Sequence, residues 1–251
     1  MTTLKEMLGV LDELLRPQDF QDYCPNGLQV EGKPHVRKLV TGVTACQALL
    51  DEAVANNADA VLVHHGYFWR GEDAVITGMK RHRLATLLQH DISLLGYHLP
   101  LDAHPELGNN AQLAQLLDIH ICAGLQTGEP SVGNVGELVE TLSGADFARH
   151  IATRLRREPL HIAGERKKIE SIAWCTGAAQ DYLQQAIDLG VDAYLTGEVS
   201  EQTVHIAREA GIHFYAAGHH ATERYGVQAV GKYLAQKFGL EHRFIDIDNP
   251  V

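Results

Sequence analysis

Leu4, Met7, Leu8, Leu11, Leu14 and Leu15 recur at intervals of three and four, with Lys5, Glu6, Asp12 and Glu13 between them, so the chain opens on an amphipathic helix packed against a core. Turn chemistry follows in Pro25-Asn26-Gly27 and Glu31-Gly32-Lys33-Pro34, which predicts a loop before the first strand. From there apolar β-rich runs alternate with helical periodicity: strand over 38–43, helix over 47–55, strand over 58–63, helix over 80–89, strand over 92–97. That alternation predicts βαβ crossovers and a largely parallel sheet covered by helices. A further helical run covers 110–117. The stretch 118–137, with Gly124, Gly128, Pro130, Gly133 and Gly136, keeps no sustained period and reads as a connection to a second half.

The second half repeats the first. VTGVTACQALLDEAVANNADAVLV (40–63) and CTGAAQDYLQQAIDLGVDAYLT (175–196) both run strand, Thr-Gly, helix, Asp-Ala, strand. The runs Ile92 to His98 and Ile212 to His219 then both end on a histidine. The expected fold is α/β, two similar lobes from an internal duplication with sheets flanked by helices. One lobe spans 1–125, with part of the C-terminal segment packing on it, and the other 126–251, unless the two intertwine as one domain.

Composition narrows the class. At 251 residues the chain can bury a core without disulfide staples. Its 21 Lys and Arg against 32 Asp and Glu give a net charge of −11, which argues against unspecific nucleic-acid or anionic-membrane partners. No stretch approaches the roughly 18 to 20 apolar residues of a membrane span. The charged N-terminal helix has no signal-peptide core. Cys24, Cys46, Cys122 and Cys175 form no Cys-x-x-Cys pair and read as small buried residues of a reducing cytoplasm. The 15 histidines stand out against these four cysteines, because imidazole is the commonest metal ligand.

Three clusters lie just beyond predicted strands, where open α/β sheets place ligands. The first is His64-His65-Gly66, where Gly66 would let the chain turn so that both imidazoles face one centre. The second runs from Tyr97-His98 to Asp102 and Asn109. Either Asp102 or Asn109 could cap the following helix; Asn109 is the better placed, which frees Asp102 as a hard donor. In the third, His219 and Glu223 are four apart on a helix running to about residue 238, a spacing that suits a shared cation as well as a surface ion pair. Three imidazoles and two carboxylates without thiolate would hold two cations and leave coordination positions open, which favours catalysis over structure. Sequence cannot choose among Zn, Mn, Fe, Co and Ni. Hydrolysis by a metal-activated hydroxide on a small substrate is the natural reaction class.

Pro25-Asn26-Gly27-Leu28-Gln29-Val30, His64-His65-Gly66, His98-Leu99-Pro100-Leu101-Asp102 and Gly218-His219-His220-Ala221-Thr222-Glu223 resemble the GTP cyclohydrolase 1 type 2 homologue family, dinuclear metal proteins also described as interacting-factor-three-like. The likeness covers nearly the whole chain and is to the short bacterial form without an inserted domain. It implies a dimetal centre in the cleft between two α/β lobes and a toroidal homohexamer built from dimers. It also implies His65 and Asp102 on one metal, His64 and His219 on the other, and Glu223 shared. His98 and His220 then stand behind the ligands or face the substrate, with His98 a candidate proton shuttle or simply a satisfied strand-end histidine. Tyr67, Trp69 and Arg224 either line the cleft or serve packing. No Gly-x-x-x-x-Gly-Lys loop is present, so any triphosphate would rest on metals and basic side chains. A metallophosphatase, and a metal-binding scaffold or metal-trafficking protein without turnover, are the competing readings.

Overall fold

A computed structural model describes residues 1–128 and 130–251, which form two compact units: Met1–Leu101 with Gly226–Asp248, and Asp102–Tyr225 with Asn249–Val251. In chain order the first contains β1 (Thr2–Thr3), α1 (Leu4–Leu15), β2 (Gly27–Val30), β3 (His35–Val36), β4 (Lys38–Thr44), α2 (Gln47–Ala55), β5 (Ala60–His65), α3 (Gly78–Gln89), β6 (Ser93–Gly96) and the start of α4 (Leu99–Ala103). The second contains α5 (Asn109–Leu116), β7 (Ile119–Gly124), β8 (Asn134–Leu142), α6 (Gly144–Leu155), β9 (Leu160–Ile162), β10 (Ile169–Trp174), α7 (Leu183–Asp188), β11 (Ala193–Thr196), α8 (Glu201–Ala210) and β12 (His213–Ala216). Helix α9 (His219–Phe238) starts in the second unit and ends in the first, where β13 (Glu241–Phe244) completes the sheet.

Helix α1 starts on a capping box, in which Thr3 Oγ1 accepts from the Glu6 amide while Glu6 Oε2 accepts from the Thr3 amide. It ends where Arg16 turns left-handed at φ 49° before Pro17. In between it buries Leu4, Met7, Leu11 and Leu15, the stripe its periodicity predicts.

The first sheet has the order β13-β4-β5-β6-β2, with β2 antiparallel to β6 and the remaining pairs parallel. Val40, Val61, Val63 and Leu94 pack there against Leu49 and Leu50 of α2 and Leu84 and Leu87 of α3. The second sheet is β7-β8-β10-β11-β12-β9, parallel in its centre and antiparallel at its margins. Its faces alternate with a period of two. Ile172, Trp174, Leu195 and Tyr215 meet Phe147, Ile151 and Leu155 of α6, while Ala173, Tyr194 and Phe214 meet Leu183 and Ala186 of α7 and Ala207 of α8. Both faces of this sheet are therefore covered, and its central strands run apolar through 172–174, 193–195 and 214–216.

The two units share one internal frame. Asp59 Oδ2 accepts from the amides of Arg37 and Lys38, and Asp192 Oδ2 accepts from those of Glu170 and Ser171. The next residues, Ala60 and Ala193, pair with Leu39 and Ile172 behind and with Ser93 and His213 ahead. The amides of Ile92 and Ile212 reach Leu87 and Ala207, and those of Tyr97 and Ala217 reach Val63 and Thr196. In this register Thr41-Gly42 match Trp174-Cys175, so the two Thr-Gly pairs are out of step: the first lies inside β4, and the second follows β10. His98 likewise corresponds to Gly218, and His219 comes one position later as the first residue of α9.

Three expectations change. The supposed connection at 118–137 contains most of the antiparallel pair β7 and β8, with Ile119 opposite Leu138. Gly136 serves close approach, since a Cβ there would run into the His120 carbonyl, whereas Gly128 takes a positive φ of +100° in open space. The turn-rich 25–30 segment is partly the edge strand β2. Of the cysteines, only Cys24 and Cys175 are buried, and Cys122 is exposed on β7.

Candidate metal centre

Strand β5 runs out into His64 and His65, and β6 leads to His98. The three imidazoles gather, with ring centroids 4.5 Å apart for His64 and His65, 5.0 Å for His64 and His98, and 5.8 Å for His65 and His98. One ligand atom from each lies within 4.8 Å of the others. Gly66 contributes differently from its sequence reading: its backbone is not left-handed, and its missing side chain makes room for Gln29. Gln29 also fills the space a Cβ on Gly96 would need, accepts from the Tyr67 amide and donates to the Pro25 carbonyl. This binds the Pro25-Asn26-Gly27-Leu28-Gln29-Val30 segment to the ends of β5 and β6.

Each imidazole is fixed through Nδ1. His64 Nδ1 lies 3.1 Å from the Tyr97 carbonyl, His65 Nδ1 3.1 Å from Thr44 Oγ1, and His98 Nδ1 2.7 Å from Asp22 Oδ1. Asp22 was not singled out in the sequence, because it sits in an aperiodic stretch far from its partners. Its side chain is only 3% exposed and accepts further hydrogen bonds from the Leu99 and Tyr23 amides and from Asn26 Nδ2. Burial pushes its pKa up, but the hydrogen bonds from His98, Asn26 and Tyr23 outweigh that and lower it to about 2. A carboxyl lowered from 3.8 to about 2 stabilises the fold above pH 4, and that contribution is lost as pH falls toward 2. In Asp22→Asn, chemical denaturation at pH 7 should show a loss of about 2 kcal/mol, and the acid limb between pH 4 and 2 should flatten. An unchanged acid limb would refute the assignment.

The second unit carries its own donors. Asp102 is 7% exposed, and its Oδ1 accepts from Asn109 Nδ2 at 2.9 Å and Thr176 Oγ1 at 3.3 Å. Asn109 is therefore not the helix cap: Gly108 occupies that place, and Asn109 holds Asp102. Asn110 spans the same region, accepting from the Thr176 amide and donating to the Asp102 carbonyl. His219 stands between two carboxylates, with Nδ1 2.6 Å from Glu198 Oε1 and Nε2 3.1 Å from Glu223 Oε2. Burial alone would lower the His219 pKa, yet Glu223 and Glu198 raise it to about 9. A Glu223 oxygen also lies within 4.8 Å of one from Asp102. Gly177, at φ +72°, borders Glu223 so closely that a Cβ there would fall on Oε1.

The other candidates have structural partners. Tyr67 OH donates to the Ala45 carbonyl, and Arg224 Nη2 to the Leu155 carbonyl. The His220 amide donates to Val251. Cys24 and Cys175 stay thiols: burial, reinforced by Asp22, pushes the first up to about 12, and burial with Asp102 and Glu223 pushes the second well above its ordinary value.

The profile of the Duf34/NIF3 family (NGG1p interacting factor 3) matches residues 2–250. The chain belongs to this family. It is 61% identical over 250 residues to a Pseudomonas aeruginosa protein named GTP cyclohydrolase 1 type 2 homolog, covering 99% of this chain and 98% of that one. Among solved structures it resembles protein ybgI, described as of unknown function, with a TM-score of 0.96, 54% identity and full coverage of both chains. TTHA1606 from Thermus thermophilus follows with a TM-score of 0.92, 34% identity and full coverage. This Duf34/NIF3 chain carries histidine and carboxylate clusters able to bind a metal, and no helix among its described residues is long and apolar enough to cross a membrane.

The donors suit divalent cations. Every clustered imidazole is held by its Nδ1, the arrangement that fixes a ligating histidine. His219 holds a proton between two carboxylates where a cation could replace it. Asp102 is oriented by an amide and a hydroxyl.

Proposed function

We propose that His64, His65, Asp102, His219 and Glu223 hold two divalent ions, from among Fe, Mn, Zn, Co and Ni, and that the protein is a metal-dependent hydrolase of a small molecule, similar in activity to a GTP cyclohydrolase 1 type 2. The observation that carries this is the shared Nδ1 anchoring of His64, His65 and His219, which makes Nε2 the ring atom that would ligate, and in His219 that atom lies 3.1 Å from Glu223 Oε2. When bound, two such ions supply Lewis acidity and lower the pKa of water. The chain's own residues do the rest. Asn109 and Thr176 hold Asp102, Glu198 holds His219, and Asp22 fixes His98 with Nε2 ready to hold or pass a proton. The buried faces of Glu223 and Asp102 keep bulk water from competing for their oxygens. The assembly in this reading is a cytoplasmic homohexamer, supported by exposed Val75, Ile76 and Met79 and by four cysteines that are all free.

The test is to strip the protein, reload it separately with Mn, Fe, Co, Ni or Zn, count ions by mass spectrometry, and screen nucleotides, cyclic amides and phosphoesters. Two ions per chain and hydrolysis of a ring or amide bond are expected. Turnover of phosphoesters alone would make it a metallophosphatase. Full metal content and an intact oligomer without turnover of anything would favour a scaffold or trafficking protein.

A further inference from the structure

Beside the three imidazoles of the first unit lies an aromatic edge that metal binding does not use. Trp69 meets the His98 ring nearly perpendicularly, at 81° with centroids 5.0 Å apart, and lies 6.0 Å from His65. Tyr23 approaches His98 edge-on at 6.4 Å from the opposite stretch of chain, yet remains 59% exposed. The two stretches are fastened together. The Arg70 amide donates to the Tyr23 carbonyl at 2.6 Å, Arg70 Nη2 to the Asp22 carbonyl at 3.1 Å, and the guanidinium carbon sits 5.9 Å from the Tyr23 ring centroid.

This edge is held rigid. Trp69 Nε1 donates to the Gly66 carbonyl, and the Trp69 amide to Glu72 Oε2. Phe68, just before it, adopts φ +65°, a left-handed conformation uncommon for an aromatic residue, which rotates the chain so that Trp69 comes beside His98. The backbone of Tyr23 is fixed by Asp22 and Arg70, while its ring stays 59% exposed beside the Arg70 guanidinium. A flat ring stacks on such a face whatever its hydrogen-bonding pattern, and the guanidinium attracts negative charge and carries five N–H donors in a planar fork.

We propose that Tyr23, Trp69 and Arg70 form a substrate-recognition ledge for a flat heteroaromatic ring carried by an anionic small molecule. Tyr23 and Trp69 supply the stacking face and Arg70 the contact with the anionic group. The inference rests on the hydrolase reading, since it gives the class of substrate presented to His98 and the neighbouring donors.

The test uses the metal-loaded full chain and isothermal titration calorimetry with three probes: adenosine 5′-monophosphate, ribose 5-phosphate and adenosine. Both phosphates meet bound metal alike, so the difference between the first two reads the ring. The nucleotide is expected to bind about ten-fold or more tighter than ribose 5-phosphate. Tyr23→Ser and Trp69→Leu should erase that difference with the ion count per chain unchanged, and Tyr23→Phe should keep it. Arg70→Ala should weaken the nucleotide and ribose 5-phosphate by the same factor and leave adenosine unchanged. Because Tyr23 is largely exposed, its substitution leaves the fold intact even where Trp69→Leu does not. Equal binding of the two phosphates by the wild type, no binding of the nucleotide, or discrimination that survives Tyr23→Ser would overturn the ledge. A chain that retains no metal yet still discriminates the ring would sink the hydrolase reading and leave the ledge standing.

Discussion

In Glu223→Ala, metal content is expected to fall from two divalent ions per chain to one or none, with turnover lost. Glu223 is 3% exposed, hydrogen-bonds His219 and has an oxygen within 4.8 Å of Asp102, so it serves both other donors of its unit. The comparison is Glu198→Ala, which removes only the carboxylate behind His219. Loss of such an outer partner costs about 10- to 100-fold in metal affinity, and loss of Glu223 should exceed it. Thermal unfolding separates ligand loss from misfolding. Without metal, loss of Glu223 relieves its crowding with Asp102 but also removes a buried partner of His219, so the variant is compared with the metal-free wild type, and the metal-induced rise in stability is the quantity read. Saturating metal should stabilise the wild type by about 2.7 kcal/mol at a hundred times its dissociation constant, and the variant far less. Retention of both ions would remove Glu223 from the ligand set.

Gly177→Ala should damage metal binding almost as much without removing a single donor atom. At φ +72° a side chain there is strained by about 1 to 2 kcal/mol, and its Cβ would fall on Glu223 Oε1. Either the carboxylate swings away from His219 or the Gly177 backbone shifts, and both misplace the donor. A fall in metal affinity of more than about ten-fold is expected, as for a lost outer partner. Gly190→Ala is the control, since Gly190 has a similar φ of +70° but open space where the Cβ would go. It should reproduce the backbone cost alone, read by urea denaturation, and leave metal content at the wild-type level. Equal metal binding by the two variants would mean that Gly177 is only a turn residue.

The alternation of strand and helix periods was legible over most of the chain because the central strands of both sheets are buried and so largely apolar. The hairpin of β7 and β8 was not, because Gly124 and Gly136 answer to close approaches, of the Ser131 side chain and the His120 carbonyl, that only the fold supplies. Among the metal-site candidates, His64, His65, His219 and Glu223 were visible because they stand next to one another or four apart, beside strand ends. Their supports were not. Asp22 meets His98 from 76 positions away, and Thr176 meets Asp102 from 74, distances at which no local pattern survives. Asn109 was misread for a related reason: an asparagine at a helix start usually caps it, and here tertiary contact with Asp102 took precedence.

The shared frame of the two units has a consequence for substitution. By register, His64 and His65 correspond to Gly197 and Glu198, and His98 to Gly218, so a place that carries an imidazole in one copy carries a supporting carboxylate or nothing in the other. The two units repeat an architecture without repeating its side chains. A substitution at His64, His65 or His98 therefore has no matching imidazole in the second unit to take its place.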